Sequence, residues 1–524
     1  MYYRNAKEIS SKLAALLIVL LLVTSAVMAQ TPSSPTDSSS SPSAGFSFSV
    51  RPGTKAWAEL KSHDEMLAAT QLPVPELRKM TTEGLLETVL TYPLLKDMLA
   101  YNSTQTGFEA VSKKFNGLSE LRSRKDIGGA ALSRYRTKRG ESQQSTKERA
   151  SLEMQGNRNF DLSFLEILMA QDEVRATLNK SQIEELRTEL RETAKLKRAS
   201  LDVYGYEGLE STAFAAAKLL TADNVQFSTS VSTNYSLQQF VAQGTADSTA
   251  VIDWILDCLE NQPSTGPLSL IQPLDYSSSV STPNGTFVPA TVKTYELSSS
   301  QIASYNAYVA NAYPLAVRET NSSRRYNCHS YAWNNQSTSN TIWIDTPSDD
   351  IYWNDGSYLR MSSGVANRRV SYPASKDHSA IAVNSTQFRS KWGQLPRMLH
   401  NYNYCPYWSS GITLNHYSSY TFSTSPVTIT LSRGSTAVFN IYTDTTSGFR
   451  GTVSFYAIGL PGNQVLPGTG FYSQSVSVQT DNVWYVSSFK FYTNSATPRG
   501  SFSIRIEGRS GTKTVVKYIN LNIL

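Results

Sequence analysis

The chain has 524 residues, 40% of them hydrophobic, and a formal charge of +6. That length and apolar content suffice for several cores, with about three domains expected from the usual domain size. A charge this mild suits an anionic surface but is more often that of a slightly basic secreted protein, and no nucleic-acid partner is expected; three cysteines are too few for a disulfide scaffold, so stability must come from burial.

Residues 1–29 read as a secretory leader. Arg4, Lys7 and Lys12 precede an apolar run from Leu13 to about Val23, and Val27 and Ala29 stand three and one before a plausible cut. The run is short against the roughly 20 residues of a spanning helix. The expected location is therefore secreted or extracytoplasmic, at the cell surface or in the periplasm, with no transmembrane segment after removal. Residues 30–50 hold the Ser/Pro tract "TPSSPTDSSSSPSAG", too polar to order itself and read as a tether.

Residues 51–220 change texture, with apolar residues at helical spacing in "TTEGLLETVLTYPLLKDMLAYN" and "FLEILMAQDEVRATL". They are expected to form an all-α domain, with Thr81 or Thr82 capping one helix and Ser181 capping "QIEELRTELRETAKLKRA". The mixed charges of that last helix read as a solvated face. Residues 221–300 turn to Ser, Thr, Pro and Asn and are read as a connector with one helical island, "STAVIDWILDCLENQ". Residues 301–416 carry Trp333, Trp343, Trp353, Trp392 and Trp408, which suits a compact α+β domain. Residues 417–524 alternate apolar and polar in about seven short runs separated by turn residues, predicting an antiparallel β-sandwich of immunoglobulin-like type.

Chemistry concentrates in "RRYNCHSYAW", residues 324–333. Asn327 is a fair helix cap, so Cys328 would open a short helix whose free amides favour a thiolate. A thiolate nucleophile also needs an imidazole to hold and return the proton. His329 is adjacent in sequence, and neighbours on a helix diverge by about 100°, which makes it a poor partner. His378, heading the small-residue strand "DHSAIAV", has the chain length to return to Cys328.

A helix-borne Cys followed by a strand-borne His resembles the papain-like cysteine peptidases and amidases of bacterial cell-wall metabolism, the NlpC-type and CHAP groups. The likeness rests on "NCHSYAW", "DHSAIAV" and "SKWGQLPRMLHNYNYCPY", and covers about residues 300–410. It implies Cys328 as nucleophile, with its backbone amide in the oxyanion hole, and His378 as base. A polar third residue on a following strand would orient the imidazole, His400 first and Ser390 second. The family commonly has Asp or a small residue where this chain has Asn327.

The implied function is a secreted thiol hydrolase cleaving amide bonds, with peptide or peptidoglycan as substrate, no cofactor, and flanking domains that bind a cell-surface polymer. The alternative is a non-enzymatic surface or matrix-binding protein with a degenerate papain-like domain. Two other readings of the cysteines stay open. Cys328, His378, His400 and Cys405 are zinc-ligand types without a CxxC or HxxxH pair, and Cys258 and Cys405 are a disulfide or two buried thiols.

Overall fold

The computed structural model describes residues 45–524 apart from 148–149, 247, 261–274, 363–364, 374–377, 445–447, 460–473 and 480–484. The leader and most of the Ser/Pro tract lie outside the described residues.

The N-terminal part is helical, and its caps explain where the helices begin. The Gly84 N–H donates to Thr81 Oγ1 at the start of Thr82–Leu90. The helix Lys180–Arg198 is capped by Asn179, in a reciprocal pair with Gln182, rather than by Ser181. Its apolar stripe buries Leu186, Leu190 and Ala194 and leaves most of the mixed charges outside, whereas Lys197 is buried and pairs with the buried Glu166 at 2.7 Å.

Helical structure continues through much of the stretch read as a connector. Val225–Thr233, Tyr235–Gln243 and Thr249–Leu259 are all helices. The Asn and Ser residues that gave this stretch its linker composition sit at the helix starts. Asn224 accepts from the Phe227 N–H, Asn234 from that of Leu237, and Ser248 from that of Ala250.

Beyond Leu259 the chain turns to β-structure. Strands β1 (Tyr276–Ser281) and β2 (Phe287–Val292) pair antiparallel. The helix Ser299–Ala312 follows. A seven-stranded sheet is then built from β3 (Val317–Arg318), β5 (Leu359–Met361), β6 (Arg369–Ser371), β7 (Ser379–Ala382), β8 (Gln387–Lys391), β9 (Arg397–Asn401) and β10 (Asn415–Ser418), while β4 (Ile342–Trp343) extends the β1–β2 pair. The order β3-β9-β8-β7-β6-β10-β5 makes β7, β8 and β9 consecutive antiparallel neighbours.

One face of this sheet, with Ala380, Ala382, Phe388, Trp392 and Met398, belongs to a hydrophobic core that runs from Phe48 to Tyr407 and includes the N-terminal helices. Ile381, pointing the other way, packs in a second cluster with Tyr326, Tyr331 and Trp333. The helical and central parts are therefore joined by a common core. Gly156 makes one close approach possible, since a Cβ there would fall 2.1 Å from the Ser300 carbonyl oxygen. Trp57 Nε1 donates to the Ala312 carbonyl across the same junction.

The C-terminal region is all-β. Strands β11 (Thr421–Ser425), β13 (Thr436–Asp444) and β16 (Tyr485–Tyr492) form one sheet, and β12 (Thr428–Leu431), β14 (Gly451–Ile458), β15 (Gln474–Val478), β17 (Gly500–Ser510) and β18 (Lys513–Ile523) form another. The alternation read from the sequence turns Phe439, Ile441, Ile504, Ile506, Ile519 and Leu521 into a core shared by the two sheets. No helix among the described residues is long and apolar enough to cross a membrane.

Candidate active site

Asn327 caps the helix as expected. Its Oδ1 accepts from the Ser330 and Ile344 N–H groups, and its Nδ2 donates to the Ile344 carbonyl and to Asn102 Oδ1. Cys328 stands at the first helical position, fully buried. The helix widens at once, with the Asn335 N–H donating to the Ser330 carbonyl in a π turn, a local geometry that clusters at functional sites.

His329 is the residue the sequence argument set aside, and the structure ties it to Cys328. Its Nδ1–H faces Asp349 Oδ2 at 3.0 Å and Ser379 Oγ at 2.9 Å, and its Nε2–H donates to Thr346 Oγ1 at 3.2 Å. Trp333 Nε1 donates to the same Ser379 hydroxyl. Burial opposes charge on this ring, but the Asp349 carboxylate and then the Cys328 sulfur outweigh it and hold the His329 pKa well above the usual histidine range. The 100° between neighbours separates Cβ directions, yet an imidazole still reaches the sulfur beside it. His329 is thus a fixed imidazolium next to the thiol.

Lys391, at the end of β8, also feels Cys328. Its ammonium donates to the carbonyls of Ser323, Gly393 and Leu395 and lies 5.2 Å from the Tyr326 ring centroid. Burial pushes its pKa down to about 7 while Glu296 and Cys328 pull it back.

His378 immediately precedes β7, one residue before the Ser379 that holds His329. Side chains alternate along the strand, and the His378 ring accordingly turns to the face packed on the helical part. There it stacks on Tyr407 with centroids 3.6 Å apart and planes 8° from parallel. Neither ring nitrogen has a hydrogen-bond partner among the described residues, so no hydrogen bond joins His378 to Cys328. Burial, with the His400 and His329 rings adding to it, holds its pKa well below the usual range. The ring is neutral and unbonded.

The expectation that His400 fixes His378 needs correction, because both His400 nitrogens are engaged elsewhere. Trp392 Nε1–H donates to Ser390 Oγ, the Ser390 hydroxyl to His400 Nε2, and His400 Nδ1–H to the Asn401 carbonyl. Burial pushes the His400 pKa down to about 4, which agrees with this neutral tautomer. Tyr407, not His400, holds the His378 ring.

Asp349, Thr346 and Tyr407 are the site residues sequence reasoning missed. Tyr407 closed the quoted "SKWGQLPRMLHNYNYCPY" without a role, and Asp349 in "PSDD" has no spacing relation to Cys328 that a motif would reveal. No disulfide joins the three cysteines, so Cys258 and Cys405 are not bridged. Burial pushes Cys405 up to about 12 and, with the Asp257 charge, Cys258 up to about 11. No group of three or more His, Cys, Asp or Glu side chains among the described residues forms a metal site.

No family model matches the chain, and no curated protein does. Among solved structures, domains 1–6 of the surface layer protein SbsC align at 10% identity over 84% of this chain and 86% of that one. The TM-score is 0.14, and an alignment at that score carries no argument about fold or function.

Proposed function

We propose that the chain is an extracytoplasmic thiol hydrolase that cleaves amide bonds, with peptides of peptidoglycan as its substrate class and a papain-like central part. The carrying observation is the pair at the head of the Asn327-capped helix, a Cys328 thiol beside a His329 ring kept charged by Asp349. A cation beside the sulfur is the arrangement found around reactive cysteines in general. His378, neutral and with both nitrogens unbonded, is the proton carrier of this reading once its ring leaves the Tyr407 stack and reaches Cys328, to which no hydrogen bond now joins it. It takes the proton of the Cys328 thiol, the sulfur attacks the carbonyl carbon, and the Cys328 N–H steadies the developing oxyanion. His378 then protonates the departing amine, and water releases the acyl group from sulfur.

The leader-like N-terminus supports the extracytoplasmic setting. The two-sheet C-terminal region is read as immunoglobulin-like and, with the helical part, as a means of holding a cell-surface polymer. A second reading is a non-enzymatic surface or matrix-binding protein, favoured by the burial of the site: Cys328, His329 and His378 are 0%, 1% and 1% exposed.

Mass spectrometry of peptidoglycan peptides incubated with the protein separates the two. The hydrolase reading expects new free amines with the wild type and none with Cys328→Ala or His378→Ala. Cleavage that persists in Cys328→Ala overturns the thiol mechanism, and a wild type inert on every fragment favours the binding protein.

A further inference from the structure

A groove of about 450 Å³ lies between the helix Thr104–Lys114 and the loop that follows β9. Glu109, Lys113 and Lys114 line it from the helix, where residues four and five apart share this face, and Tyr101, Tyr407 and Ile412 complete the wall. Tyr407 is the ring that stacks on His378 with centroids 3.6 Å apart. Tyr101 tilts against it at 5.5 Å, and the Tyr407 hydroxyl donates to the Ala100 carbonyl. Tyr407 therefore touches both the groove and His378.

The charge of the groove is one-sided. Lys114 donates to the Pro406 carbonyl at 2.6 Å and to the Tyr101 hydroxyl at 3.3 Å, which leaves one N–H of its ammonium for a further acceptor. Those two bonds fix the ammonium beside Tyr101 and the residue before Tyr407. Lys113 is exposed on the same helix, and neither lysine has a carboxylate partner among the described residues. Glu109, the carboxylate of the wall, is held at two points by Arg122, whose Nη1 and Nη2 lie 3.2 and 3.1 Å from its oxygens. Even counted in full, Glu109 offsets one of the two lysines.

We propose that this groove binds a peptide carrying a carboxylate, with Lys113 and Lys114 pairing the acid and the Tyr101 and Tyr407 rings packing on the chain beside it. An acidic peptide meets positive charge and aromatic surface together, whereas a long polyanion would find two lysines and no basic track beyond them. Bound there, the peptide lies against the ring on which His378 stacks. The proposal thus names an acidic peptide as the substrate of the hydrolase, and it rests on that reading for everything beyond binding.

Isothermal titration of the full chain carrying Cys328→Ala tests this with acetyl-Ala-Glu-Ala-amide and its Gln counterpart as probes; the variant has no thiol to cleave with, so binding is read apart from catalysis. The Glu peptide should bind about fivefold tighter or more at low ionic strength, with the preference lost at about 0.5 M salt and reversed in Lys113→Glu, an exposed position outside the core. The His378 imidazole resonance, assigned through His378→Gln, should shift on binding. Equal affinity for the two peptides, an acid preference unchanged in Lys113→Glu, or binding that leaves His378 unshifted would overturn the proposal. So would displacement of the Glu peptide by polyphosphate at far lower concentration, which would make the groove a polyanion site. The two readings fail separately: binding without cleavage by the wild type removes the hydrolase and keeps the groove, while wild-type cleavage of both peptides at equal rates keeps the hydrolase and removes the groove.

Discussion

Nδ1 of His329 lies 3.0 Å from Oδ2 of Asp349, with both side chains almost wholly buried. A buried imidazolium kept by one carboxylate makes stability depend on pH in a defined direction. The folded-state pKa is raised above the unfolded value, so the stabilisation is complete below about pH 6.5 and is lost as pH rises through the folded-state pKa. Asp349→Asn should destabilise the protein by about 3 kcal/mol at pH 6 in urea unfolding. The difference from wild type should shrink by pH 10. A difference independent of pH would show that His329 is not charged.

His400 has the opposite linkage. Its pKa is pushed down to about 4 by burial, so the folded state refuses a proton that the unfolded chain accepts. Its contribution is present above about pH 6.5 and declines as pH falls toward the folded-state value, by about 2 kcal/mol between pH 7 and pH 5. His400→Gln should remove that part of the acid destabilisation, measured as the difference in unfolding free energy at pH 7 and pH 5. An acid limb as steep in the variant as in the wild type would assign the effect to other groups.

His329 and His378 should fail in different ways. His378→Gln should abolish turnover yet leave alkylation of Cys328 at pH 6 within about twofold of wild type, since the proton carrier does not set the charge beside the sulfur. His329→Gln should slow that alkylation about tenfold or more by removing the adjacent cation. Equal effects of the two substitutions on alkylation would contradict the division of labour.

The C-terminal region should fold on its own. Its core is made of residues between Tyr420 and Ile523, with Leu359 and Met361 packing only at its edge. Residues 419–524 expressed alone should unfold cooperatively by circular dichroism. A chain without a transition would mean that contacts such as Lys513 Nζ to the Ser357 carbonyl are required for folding.

How far the sequence could be read followed the range of the interaction. Local signals were legible: the Asn327 cap, the helical stripe of Leu186 and Leu190, and the alternation in β13, β17 and β18 each depend on residues a few positions apart. Residues 221–259 were misread because Asn224, Asn234 and Ser248 favour both loops and helix starts, and composition does not separate the two. Asp349 and Tyr407 reach the site only through tertiary folding, 20 and 29 positions from His329 and His378. His329 was set aside on an ideal-helix angle, whereas buried charge decides its role.

The central claim is that Cys328 is an activated thiol, and its alkylation is the most direct measurement. The native protein is treated with iodoacetamide at pH 6 and mapped by mass spectrometry for Cys258, Cys328 and Cys405. The account predicts that Cys328 is modified first, although it is buried, and that Cys258 and Cys405, held at about 11 and about 12, lag behind. Modification of the partly exposed Cys258 with Cys328 untouched would contradict it.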